Sequence, residues 1–135
     1  MTTKSINELQ EEVIEEFSAF DDWMDKYQML IDLGNELSPL DEKYKVENNL
    51  IEGCQSRVWL QCDLVDGLLV FTADSDALIT KGIIALLIRV LSDHSPKEIA
   101  EADLHFIDAI GLKDHLSPTR SNGLLSMVKR IKAYA

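Results

Sequence analysis

Between Arg57 and Ala73 the apolar residues of this chain step by two, whereas on both sides they step by three and four. Val58, Leu60, Cys62 and Leu64 alternate with Arg57, Trp59, Gln61 and Asp63, the spacing of a half-buried strand. Asp66-Gly67 supplies a hairpin turn signal, and Leu68 to Ala73 reads as the return strand. A short strand around Asn48 to Ile51 fits on the other side of the Gly53-Cys54 turn. The spacing therefore predicts a small antiparallel sheet of about three strands set among helices, an α+β class.

The flanking segments carry helix signals. Ser5-Ile6-Asn7-Glu8 is a capping-box pattern, and Ile6, Leu9, Val13 and Phe17 then share one face. A second helix starts near Asp21, with Trp23, Tyr27 and Leu30 on its buried side and Gly34 placed to end it. Ser38-Pro39-Leu40 marks a turn, and the charged stretch Asp41 to Glu47 reads as an exposed loop. Asp76 to Leu91 is apolar nearly all round, so its helix should be deeply buried. Ser95-Pro96-Lys97-Glu98 combines an N-cap, a proline at the first helical position and a glutamate three on. Asp103 to Ile110 reads as a short helix stopped by Gly111. Ser117-Pro118 opens the last helix, with Leu124, Val128 and Ile131 facing inward.

A chain of 135 residues is expected to form one domain. At that size folding removes about two-thirds of the unfolded surface from water, enough for a core without disulfide staples. The longest apolar stretch, Gly82 to Leu91, is interrupted by Arg89 and falls short of the roughly 20 residues that span a bilayer. The segment Met1-Thr2-Thr3-Lys4-Ser5 turns acidic at once and carries no apolar signal core, so a cytoplasmic location is expected. Two cysteines in that setting are thiols rather than a structural disulfide. A net charge of −11 argues against nucleic acid. The one basic cluster, Lys129-Arg130-x-Lys132, fits the last turn of a helix.

Chemistry concentrates on Cys54, in Ile51-Glu52-Gly53-Cys54-Gln55-Ser56-Arg57-Val58-Trp59. Two readings stand side by side: a buried inert thiol, or a thiol presented at a turn that Gly53 makes possible. A free thiol titrates near ~8.5, so only a few per cent is thiolate at neutral pH. Arg57 is the nearest cation, Glu52 opposes it, and the chain as a whole is acidic. Cys54 is therefore expected to be a slow nucleophile alone, activated by a partner that brings positive charge or a hydrogen-bond donor. Cys62 shares the core face of its strand and does not form a Cys-x-x-Cys pair with Cys54. His94, His105 and His115 have no zinc-ligand spacing and read as surface or helix-end residues, so no metal or other cofactor is expected. Asp74-Ser75-Asp76 lacks the glycine and later glutamate of a calcium loop and reads as a helix cap. Arg120, near a helix start, is unfavourable to the dipole there and hints at another use.

Four blocks resemble the SufE-type sulfur-acceptor proteins of iron–sulfur cluster assembly. They are Trp23-x-x-Lys26-Tyr27-x-x-Leu30-Ile31-x-Leu33-Gly34, then Gly53-Cys54-Gln55-Ser56-x-Val58-Trp59. Ala73-Asp74-Ser75-Asp76-Ala77 with Lys81-Gly82 follows, and Leu116-Ser117-Pro118-Thr119-Arg120-Ser121-x-Gly123-Leu124 closes the set. The resemblance implies a curved sheet with helices packed around it, similar to the cluster-scaffold fold. It implies that Cys54 accepts sulfane sulfur from a PLP-dependent cysteine desulfurase and passes it to an iron–sulfur scaffold complex. Such a protein is a sulfur-transfer partner and activator, not a free-standing enzyme, and is a monomer or homodimer. Gly53, Gln55, Ser56 and Arg57 are the first candidates for partner contact, followed by Arg120 and Asp74. Two rival classes would use Cys54 differently: a scaffold that holds a cluster itself, which usually needs four ligands, and a thiol-dependent redox protein.

Overall fold

The computed structural model describes residues 4–37, 40–51, 56–116 and 118–135, without the side chains of Lys113, His115, Thr119 and Arg120. Helix α1 (Ile6–Ser18) begins at the expected capping box: Ser5 accepts from the Glu8 amide, and Glu8 accepts from the Ser5 amide. Helix α2 (Trp23–Asn35) is capped by Asp22, whose carboxylate accepts from the Met24 amide. The stretch read as an exposed loop contains a 3-10 turn, Glu42–Tyr44, and a second, Glu47–Asn49, runs from its last residue into the segment expected as a short strand. Strands β1 (Val58–Val65) and β2 (Leu68–Ser75) pair antiparallel, with Val58 opposite Ser75 and Val65 opposite Leu68. Asp66 and Gly67 turn the chain with φ of 52° and 82°, the left-handed pair a tight hairpin requires. The third strand is reduced to a single bridge, Leu50 with Trp59, because the 3-10 turn at Glu47–Asn49 ends immediately before it.

Helix α3 (Leu78–Leu91) is the axis of the molecule. It packs against α1, α2, β2 and the last helix, α7, and Ile83, Ile84, Leu86, Leu87, Val90 and Leu91 are all buried. The all-round apolar pattern thus does what it predicts. Three short helices follow: α4 (Pro96–Glu101), α5 (Phe106–Ala109) and α6 (Leu112–His115). Gly111, at φ 71°, separates α5 from α6 as a stop signal should. Helix α7 (Pro118–Ala133) buries Leu124, Met127 and Ile131, with Val128 half-buried.

Further expectations need correction or refinement. Gly34 lies one residue before α2 stops at Asn35, close to the expected end, and it is where α2 crosses α3. A Cβ on Gly34 would lie 3.0 Å from the Gly82 amide nitrogen, and one on Gly82 would lie 2.1 Å from the Leu30 carbonyl oxygen. Both glycines are therefore contact residues of a close helix pair. Leu64 is 67 % exposed despite its place on the core face of β1, whereas Leu69 directly opposite it is buried and bridges His94, so at this end of the hairpin the core covers β2 and not β1. His94 lies just past the end of α3, one of the two places expected of it, but is buried rather than on the surface. Its Nδ1 faces the Ser92 carbonyl at 2.9 Å, and its Nε2 faces the Lys4 carbonyl at 2.7 Å.

One buried polar residue breaks the apolar stripe of α1. Gln10 is fully buried, yet its amide is satisfied at both ends. Its nitrogen donates to the Asp103 carbonyl at 3.0 Å, and its oxygen accepts from the Phe106 amide at 3.1 Å. It thereby supplies a partner to the start of α5, which has no side-chain cap from its own N-cap residue.

Candidate functional site

The segment bearing Cys54 joins two fixed pieces of backbone. On its N-terminal side Leu50 bridges Trp59, and the Ile51 amide donates to the Val58 carbonyl at 2.9 Å. On its C-terminal side the Asp76 carboxylate accepts from the Arg57 amide at 3.1 Å, and the Asp76 amide donates back to the Arg57 carbonyl at 3.3 Å. Ile51 is buried, Ser56 half-buried and Arg57 exposed. Glu52, Gly53, Cys54 and Gln55 lie outside the described residues. Cys54 is nevertheless only three residues along the chain from Ile51 and three from Arg57.

Beside these stems sits a charged cluster that joins three elements. Asp74 of β2, opposite Trp59, pairs with Lys45 at 3.0 Å and with Lys81 of α3 at 3.3 Å. Lys45 also reaches Glu42 at 3.1 Å, and its ammonium lies 5.7 Å from the centre of the Trp59 ring. Burial pushes the Asp74 carboxyl up. Hydrogen bonds from Lys45, the Ser75 amide and Lys81 outweigh that and hold it below the ordinary carboxylate value. Lys45 is held above its ordinary value, first by Asp74 and then by Glu42.

This cluster corrects the reading of Asp74-Ser75-Asp76 as a helix cap. The N-cap of α3 is Ala77, with no side-chain cap bond. Asp74 serves the two lysines and accepts from the Ser75 amide at 2.8 Å, Asp76 serves the Arg57 backbone, and Ser75 accepts from the Ala77 amide at 3.3 Å. The structure thus gathers Ser56, Arg57 and Asp74 at one end of the sheet. Arg120 falls in the first turns of α7, and its side chain lies outside the described residues.

Cys62 sits on β1 opposite Phe71, half-buried at the edge of the core. Burial, and secondarily the Asp63 charge, push its thiol up, which lowers its thiolate fraction at neutral pH. Among the described residues, no group of three or more His, Cys, Asp or Glu could hold a metal ion.

Two contributors were not legible as site residues. Lys45 lay in a stretch with no hydrophobic period, and only its pairing with Asp74 reveals a use. Arg130 was visible as part of a basic cluster, but its target was not. Its guanidinium donates to the Leu50 carbonyl at 3.2 Å and to the Asn48 carbonyl at 2.5 Å. It also borders a groove of about 330 Å³ lined by Ile51, Ser126, Lys129 and Ala133.

The family model described as the SufE, Fe–S metabolism associated domain matches residues 11–135. The chain belongs to the SufE family. It is 38 % identical over 130 residues to an uncharacterised SufE-like protein of Rhizobium meliloti (strain 1021), covering 93 % of each chain. The fold is similar to the solution structure of a hypothetical protein from Thermus thermophilus, with a TM-score of 0.76 and 21 % identity. That alignment covers 93 % of this chain and 91 % of the other. SufE membership places the chain in Fe–S metabolism. Among the described residues no helix is long and apolar enough to cross a membrane.

Proposed function

We propose that this SufE-family protein carries sulfur as a persulfide on Cys54. The Cys54 thiolate attacks the outer sulfur of the persulfide on a PLP-dependent cysteine desulfurase. The new S–S bond forms at Cys54, the donor's S–S bond breaks, and the donor cysteine leaves as thiolate. Oxidation level is conserved, so no external oxidant or reductant is required. Removal of the sulfur frees the desulfurase for its next turnover, which is how the protein stimulates it. Delivery to an iron–sulfur scaffold complex is the same exchange run onto an acceptor thiol.

The observation that carries this reading is the pairing of family membership with a short Cys54 connection anchored at both ends. Rigid anchors on either side favour presenting one thiol to a docked protein. The state of Cys62 supports it too. A reactive second thiol near the persulfide would release the sulfur as sulfide, whereas the Cys62 thiol is pushed up by burial. Ser56, Arg57 and Asp74 are the proposed contacts on the described side of the site, with Gly53, Gln55 and Arg120 completing the set.

Intact mass after incubation with a desulfurase and cysteine tests the proposal. The wild type and Cys62→Ser should each gain one reducible sulfur atom, and Cys54→Ser none. A Cys54→Ser variant that still acquires sulfur at the wild-type rate refutes it.

A further inference from the structure

We propose that Arg130 is a positioning residue for the Cys54 connection, a role that rests on the sulfur-carrier reading given above. The basic cluster near the end of α7 has the composition of a helix C-terminus interacting with its own dipole. Two of its members are used otherwise. Lys132 donates to the Ala102 carbonyl at 2.6 Å, 30 residues away in sequence. Arg130 donates through two different nitrogens to the carbonyls of Asn48 and Leu50, 82 and 80 residues away.

The geometry is specific to arginine. Asn48 and Leu50 are alternate residues, and their two carbonyls receive the two arms of one planar fork. A lysine can serve one of them but does not match both in a fixed arrangement. The helix behind the fork is well held, because Leu124, Met127 and Ile131 are in the core. Arg130 therefore ties a rigid element to the last residues of the chain before Ile51-Glu52-Gly53-Cys54.

The two ends of the connection are secured differently. The C-terminal end is fixed by reciprocal bonds between Asp76 and Arg57. The N-terminal end has the Leu50–Trp59 bridge with its neighbouring Ile51–Val58 bond, and Asn49, whose amide donates to the Tyr44 carbonyl at 2.8 Å and to Gln61 at 3.2 Å. Arg130 adds the tie that crosses to α7. Without it the stem keeps its pairing with β1 but loses its tie to α7. Fewer molecules then hold the stem that precedes Cys54 in the docking geometry. If the competent fraction falls to about a tenth, the apparent affinity for the donor weakens about tenfold while the bound complex reacts as before.

The test compares full-length wild type, Arg130→Ala, Arg130→Lys and Lys132→Ala. Lys132→Ala removes a similar tie from the same helix but leaves the Cys54 stem untouched. Two readouts are taken: hydrogen exchange at the Ile51 amide, and a titration of each protein as sulfur acceptor for a cysteine desulfurase. Arg130→Ala should speed Ile51 exchange and raise the apparent KM about tenfold, with kcat within about twofold of wild type. Arg130→Lys should recover part of both effects, and Lys132→Ala should show neither. Wild-type KM in Arg130→Ala overturns the proposal, as does an equal change in Lys132→Ala, which would mean general loosening of α7. Unchanged Ile51 exchange overturns it as well. If the wild type takes no sulfur onto Cys54, the carrier reading fails instead, and Ile51 exchange still decides whether the tie exists.

Discussion

Replacing Gly82 with alanine probes the α2–α3 crossing on which the site is built. The added Cβ would meet the Leu30 carbonyl oxygen at 2.1 Å and its carbonyl carbon at 2.5 Å. Both are backbone atoms inside a helix, so no side-chain rotation relieves the overlap. Contacts of this kind do not fall below 3.0 Å, so the helices must part by about 1 Å in a close-packed interior. Overpacking of this sort costs about 1–3 kcal/mol, and a backbone clash belongs at the upper end. The better helix propensity of alanine returns about 1 kcal/mol. A net loss of about 2 kcal/mol corresponds to a fall in Tm of about 5–8 °C for a chain of this length. Gly34→Ala is the internal comparison. Its nearest contact is 3.0 Å, so a shift of a few tenths of an ångström suffices, and the propensity gain should hold the change within about 1 kcal/mol. Thermal and urea unfolding of both variants measure the difference. A Gly82→Ala protein as stable as the wild type, or less affected than Gly34→Ala, refutes the close-crossing account.

Gln10→Ala should destabilise the protein by about 1–3 kcal/mol in urea titrations, because the Phe106 amide and Asp103 carbonyl lose a buried partner. Glu16→Gln should lose stability in a pH-dependent way. The hydrogen bond from Arg89 holds the Glu16 carboxyl below its ordinary value, with burial opposing and the Arg89 charge assisting. A depressed folded-state pKa stabilises above the unfolded value, near ~4.3, and that contribution disappears as pH falls through the folded value. The Tm gap between wild type and Glu16→Gln should thus be widest near neutrality and close in acid; a gap that persists in acid would contradict the assignment.

Several elements could be read directly from the chain because their causes are local. The capping boxes at Ser5 and Ser95 and the turn at Asp66-Gly67 are fixed by residues within a few positions of each other. The burial of α3 followed from its all-round apolar surface. The misreadings have non-local causes. A glycine late in a helical run has the same local signature whether it stops the helix or admits a neighbour, and only the position of α3 decides for Gly34. Alternation places Leu64 on a face but does not say that at this level the core covers only the neighbouring strand, where Leu69 is buried. Nothing local marks Gln10 as a buried residue, because its partners, Asp103 and Phe106, lie more than 90 residues away. At the site, the Cys54 block was recognisable as a pattern, whereas Lys45 and Arg130 gained roles only when distant segments met.

The bare tip of the β-hairpin has a consequence for how this protein behaves in crowded solution. Leu64 and Val65 are exposed on an arm of only two strands, a shape that invites edge-to-edge association with other chains. Asp63 at the margin and Asp66 in the turn are both exposed and set negative charge beside that apolar pair. Two arms brought together would bring these like charges together, so the acidity of the tip acts as a guard against self-adhesion.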